Sequence, residues 1–159
     1  MRLLLLAATL FWGAASSPCD AVEIDGLVSD VHDGDTITLA KLSESYTVRL
    51  VDIDAPELKQ SFGIESRASL REVCLFKRAT IDTQGEDRFG RTLARVTCAG
   101  MDANAEQVRR GMAWVFVRYA PKNSTLYGVE ADARADKRGL WADPQPVAPW
   151  NWRASKNRE

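Results

Sequence analysis

The chain has 159 residues, 45% of them hydrophobic and 27% charged, and a formal net charge of -1. That length suits one domain, and the composition is that of a soluble globule, which excludes a largely disordered chain, a membrane-embedded fold and a second enzyme domain. A near-neutral chain cannot draw in a polyanion by its overall field, so any nucleic-acid partner must be held by a local basic site.

The chain opens with Arg2 and an apolar run over 3–15, shorter than the ~20 residues of a bilayer-spanning helix. Residues 1–21 are therefore expected to be a signal peptide, with an uncleaved anchor as the alternative. Cleavage is expected after Ala15 or Ala21, and the small residues and Pro18 ahead of Ala21 favour the second. Cys19 follows Ser16, Ser17 and Pro18, which do not resemble a lipoprotein signal. The expected destination is the periplasm or the medium, with no stable membrane association after removal of the leader. Losing Arg2 and Asp20 leaves the net charge unchanged. Cys74 and Cys98 then remain, an even count that in an exported chain fits either a disulfide or two separate buried thiols.

Runs of β-branched residues predict strands over 22–31, 36–40 and 46–51, with turns at Asp33-Gly34-Asp35 and Ser43-Glu44-Ser45. Ile64, Ala68, Leu70, Val73 and Cys74 fall on one face of a helix over 63–76. Strands over 79–83 and 92–98 follow, separated by a polar turn over 85–91. Asp102 caps a short helix that Gly111 ends, 113–117 is extended, and a helix over 126–138 stops at Gly139. This pattern of five strands with interleaved helices reads as an α+β domain over 22–143, mainly β, built as a small barrel. The tail over 144–159 is rich in Pro and Trp. Its segment Pro149-Trp150-Asn151-Trp152-Arg153 either docks a partner or packs back onto the barrel, and packing back is the expectation.

His32 is the one histidine. That rules out two-histidine ribonuclease chemistry and zinc sites with several His ligands, and no motif supplies a Ser-His-Asp triad around it. Catalysis must rest on carboxylates and arginines, with or without a metal. Asp33-Gly34-Asp35-Thr36 lies where one strand turns into the next, and Arg49 precedes Asp52-Ile53-Asp54-Ala55-Pro56-Glu57, where carboxylates flank a rigid Pro bend. Asp87-Arg88-Phe89-Gly90-Arg91 places two arginines around an aromatic and a glycine. Singly, each segment reads as a turn or an ion-paired loop.

In this order and spacing the three segments resemble the staphylococcal nuclease (thermonuclease) family, and the resemblance runs from about Val28 to Trp141, taking in Asn104, Val108, Gly111 and Gly139-Leu140-Trp141. It implies an oligonucleotide/oligosaccharide-binding (OB) fold, a five-stranded Greek-key barrel with about three helices. It also implies an exported calcium-dependent nuclease acting as a monomer on DNA, RNA or both, and leaving 3'-phosphate ends. By matching positions, Asp35 and Asp54 would ligate calcium with the backbone carbonyl of Ala55, an oxygen set that a hard cation prefers. Asp33 and Thr36 would support those ligands from just outside them. Glu57 would be the general base, Arg49 and Arg91 would grip the scissile phosphate, and Arg88, Phe89 and Tyr119 would hold the substrate. Val117 stands where the family has a tyrosine, and the loop after Glu57 is short, so base preference is not carried over. The alternative is an idle OB-fold module that binds nucleic acid or protein; such modules lose part of the carboxylate and arginine set, which is present in full here.

Overall fold

The computed structural model describes residues 22–156 and 158; the expected signal peptide lies outside them. Three strands form an antiparallel meander: β1 (Glu23–Val31), β2 (Thr36–Lys41) and β3 (Glu44–Leu50). After the two-residue strand β4 (Ile53–Asp54) and helix α1 (Gly63–Cys74), β5 (Arg78–Glu86) pairs with the other edge of β1, and β6 (Thr92–Cys98) pairs with β5. A parallel pairing of β3 with β6, Val48 opposite Thr92 and Leu50 opposite Ala94, closes the sheet into a five-stranded barrel. Closure removes the open sheet edges. Val28, Val31, Ile37, Leu39, Val48, Leu50, Ile81 and Val96 fill the interior without solvent exposure, and burying each contributes roughly 1.5–3 kcal/mol.

The remaining elements are β7 (Met101–Asp102), α2 (Ala103–Arg109), β8 (Trp114–Val115), α3 (Leu126–Ala135), a 3-10 turn over Gly139–Ala142, and α4 (Pro149–Lys156). Asp102 caps α2 by accepting from the Ala105 N–H at 3.0 Å. The helices stop earlier than their periodicity predicts. Leu75 is extended and Phe76 has φ +58°, which ends α1 at Cys74; Lys137 at φ +53° and Gly139 at φ +51° take the chain out of α3. A disulfide joins Cys74 at the end of α1 to Cys98 at the end of β6. β8 pairs only with β4, Ile53 opposite Val115 and Asp54 opposite Trp114.

The tail folds as the fourth α-helix among the described residues. The Trp150 ring stacks on Phe116 (centroids 5.4 Å apart, planes 7° apart) and meets Trp114 edge-on, and Trp114 packs against Trp141 at 4.3 Å. Arg134 covers Trp141 at 3.8 Å. Gln60 Nε2 donates to the Val147 carbonyl at 2.6 Å, fastening the tail to the loop that follows Glu57.

Candidate active site

The β1–β2 turn carries the first acidic motif. Asp33 Oδ1 accepts the Asp35 N–H at 3.0 Å, the usual Asx-turn device. Gly34 is obligatory there for lack of space: an added Cβ would lie 1.8 Å from Ser66 Oγ and 2.7 Å from the Ala55 Cβ. The buried Gln107 amide donates to the Gly34 carbonyl at 2.7 Å and to the Ser66 carbonyl at 3.1 Å, tying the turn to α1 and α2. Asp35 is buried, and its carboxylate accepts from Thr36 Oγ1 (3.2 Å) and from the Ala55 N–H (2.6 Å).

The second motif sits on β4. Asn104 accepts from the Val96 N–H and donates to the Val51 carbonyl, bracing the turn ahead of β4. Glu130 on α3 accepts the Val115 N–H at 2.9 Å and so anchors β8, the partner of β4. These braces place Asp54 opposite Asp35, and one guanidinium spans the two. Arg49 Nη2 lies 3.1 Å from Asp35 Oδ2 and 3.0 Å from Asp54 Oδ1, while its Nη1 donates to the Leu50 and Ile53 carbonyls. Burial pushes the Asp35 carboxyl up to about 8; the Asp33 and Asp54 charges act in the same sense, and Arg49 and the Ala55 N–H offset only part of the rise.

Glu57 follows Pro56 and is packed by backbone, since a Cβ on Gly63 would lie 2.0 Å from the Glu57 carbonyl oxygen. Its carboxylate meets a residue of the Pro- and Trp-rich tail. Arg153 of α4 reaches back to Glu57 Oε1 (2.8 Å) and Asp54 Oδ2 (2.7 Å). Burial acts to lower the Arg153 pKa, and the bonds to Asp54 and Glu57 outweigh it, so the group stays above its ordinary value and fully charged. Asp33, Asp35, Thr36, Arg49, Asp54, Ala55 and Glu57 therefore form one network, with Arg153 as an eighth member. Its partners lie 99 and 96 residues earlier in the chain, beyond the reach of any local motif.

The other predicted residues form their own groups. Arg91 precedes Thr92, which is the register partner of Val48 while Leu93 is that of Arg49, and its guanidinium is held by Asp87 at 2.7 Å. Arg88 lies 4.7 Å from the exposed Phe89 ring in the same hairpin. Tyr119 is exposed and packs edge-on to Phe116, which connects it to Trp150; Val117 is exposed nearby. His32 hydrogen-bonds with Thr38 Oγ1 across the β1–β2 ladder, apart from the acidic network.

The network offers carboxylate oxygens and no nitrogen or sulfur donor, a set that suits a hard cation such as calcium. Among the described residues no three His, Cys, Asp or Glu side chains gather as a ligand cluster. Asp35 and Asp54 thus supply two side-chain donors, and further ligands would come from backbone, water and phosphate, as an oxygen-liganded cation with irregular coordination tolerates. Asp54 and Glu57 are matched by Arg49 and Arg153, and a cation beside Asp35 would favour its ionised form against burial. The residues fit the ion.

Comparison with known proteins identifies relatives of the whole domain. The profile of the family described as "Staphylococcal nuclease homologue" matches residues 47–143. An "Uncharacterized endonuclease" of Escherichia coli O157:H7 is 40% identical over 142 residues, spanning 89% of this chain and 92% of the relative. One of the same name from Haemophilus influenzae is 38% identical over 153 residues, covering 96% of this chain and 85% of its own. A "Micrococcal nuclease" of Shigella flexneri is 38% identical over 143 residues, 83% of this chain and 82% of that protein.

Proposed function

Because this chain belongs to the staphylococcal nuclease homologue family and is by that membership a nuclease, a hydrolase acting on nucleic acid, we propose that it is an exported, calcium-dependent endonuclease using the Asp35–Asp54–Glu57 centre. One observation carries the reading: two acidic motifs nineteen positions apart in sequence, ending at Asp35 and beginning at Asp54, converge on the single guanidinium of Arg49 at 3.1 and 3.0 Å. Calcium, when bound, supplies a Lewis acid that neutralises charge on a phosphate oxygen.

Asp35 and Asp54 would hold the ion with the Ala55 carbonyl, and Asp33 and Thr36 keep the Asp35 carboxylate in position. Glu57 is partly exposed, so solvent reaches it, and it takes a proton from the water that attacks phosphorus. Arg49 on β3 and Arg91 just ahead of β6, the strand that pairs with β3, grip the non-bridging phosphate oxygens with planar forks. Negative charge grows on those oxygens as water attacks in line, so both arginines stabilise the transition state more than the ground state. Arg88, Phe89 and Tyr119 supply a cation and two exposed rings for the flanking phosphate and bases. The complete carboxylate and arginine set argues against the idle-module alternative. Purified protein incubated with single- and double-stranded DNA and RNA, in calcium or in chelator, tests the proposal. Cleavage in calcium alone supports it; no cleavage of any substrate in calcium defeats it.

A further inference from the structure

Arg153 is bound to the two carboxylates that the proposed chemistry needs free. One nitrogen of its fork lies 2.7 Å from Asp54 Oδ2 and the other 2.8 Å from Glu57 Oε1, with a longer contact of 3.4 Å to Asp54 Oδ1. Asp54 Oδ1 is already taken by Arg49. Both oxygens of Asp54 therefore face a guanidinium, and Glu57, the expected proton acceptor, is engaged by the same cation.

The contact is built and not incidental. α4 is seated by the Trp150–Phe116 stack and by the Gln60–Val147 hydrogen bond, and Gln60 Oε1 also accepts the Glu57 N–H at 3.2 Å. The loop bearing Glu57 and the helix bearing Arg153 are thus fastened to each other. The Arg153 side chain is 40% exposed, so it can swing to solvent without disturbing the core.

We propose that Arg153 is a positioning residue that acts as a tethered counter-cation: it holds Asp54 and Glu57 in the metal-free protein and competes with calcium for Asp54. The inference rests on the calcium reading of the centre. Its consequence is that calcium affinity is set in part from the C-terminal helix. A metal entering beside Asp54 either displaces the guanidinium or binds against its charge, and two like charges a few ångströms apart repel even in a screened setting. Once displaced, Arg153 is released from Glu57 as well, so metal entry frees the base in the same step.

The test is calcium titration by calorimetry of the full chain, as wild type, Arg153→Gln and Arg153→Lys, with tryptophan fluorescence recorded in parallel because Trp150 and Trp152 precede Arg153 on α4. Arg153→Gln should bind calcium about tenfold more tightly than wild type, and Arg153→Lys, which keeps the charge and loses the fork, should fall between. A residue that merely supports the fold would weaken binding when removed. Unchanged or weaker affinity in Arg153→Gln, with wild-type binding intact, overturns the inference alone. Absence of calcium binding in all three proteins overturns the calcium reading and the inference with it.

Discussion

Without calcium the protein should lose stability as pH rises through neutrality, and the cause is Asp35. Its carboxyl titrates near the ordinary 3.8 when unfolded and at about 8 when buried beside Asp54 and Asp33. Between those values the native state carries a proton that the unfolded state has released. Stability then falls with pH, by about 1.4 kcal/mol per unit for one proton. From about pH 5 to about pH 7 the loss is about 3 kcal/mol, which for a domain of this size lowers Tm by roughly 10 °C. Two other acids act in the opposite sense. The Arg109 hydrogen bond holds Glu106 below its ordinary value, and the Arg91 N–H groups hold Asp87 down against burial; both contribute stability that is lost only at more acidic pH. Burial raises Asp52, which slopes in the same direction as Asp35, so Asp35→Asn is the control that isolates one group. The assay is chemical denaturation in chelator across the pH range, wild type against Asp35→Asn. Wild-type stability that is flat or rises over this window, or a variant that keeps the wild-type slope, refutes the reasoning.

Further expectations follow from the same geometry. Opening the Cys74–Cys98 bridge, which spans 24 residues, should cost about 3.5 kcal/mol from unfolded-chain entropy; the Cys74→Ala/Cys98→Ala variant in urea denaturation checks it. Gly34→Ala should cost about 3 kcal/mol and weaken calcium binding, because its Cβ would lie 1.8 Å from Ser66 Oγ; calorimetry and thermal melting report both effects. Arg91→Ala should reduce turnover by about two orders of magnitude or more, with stability changed by less than about 1 kcal/mol because the Asp87 pair is partly exposed. Turnover measured beside the melting curve separates the two.

The barrel was legible because its interior is written in β-branched and aliphatic alternation: Ile37 with Leu39 and Val48 with Leu50 point inward, as the period of a strand requires. Asp33-Gly34-Asp35 could be placed at a turn from its residue types alone. That Gly34 is confined by Ser66 and Ala55 could not, because the constraint comes from α1 packing against the turn. Glu130 and Gln107 looked like ordinary helix residues, yet one anchors β8 through the Val115 N–H and the other holds the Gly34 carbonyl. Helix ends were misplaced by two to three residues, Phe76 against Cys74 and Arg138 against Ala135, since the left-handed residues that end them carry ordinary side chains at Phe76 and Lys137. Arg153 was hidden most deeply. A basic residue after two tryptophans gives no sign of its partners, and only the docking of α4 brings it to Asp54 and Glu57.

In the proposed mechanism Glu57 activates water at a centre assembled by Asp35, Asp54 and Arg49. Steady-state cleavage of DNA by Glu57→Gln and wild type, both at saturating calcium, tests it most directly, since the amide keeps the size of the side chain and removes its basicity. Turnover should fall by about two orders of magnitude or more with Tm nearly unchanged, because the Glu57–Arg153 pair is partly exposed. A Glu57→Gln protein that cleaves at the wild-type rate contradicts the account.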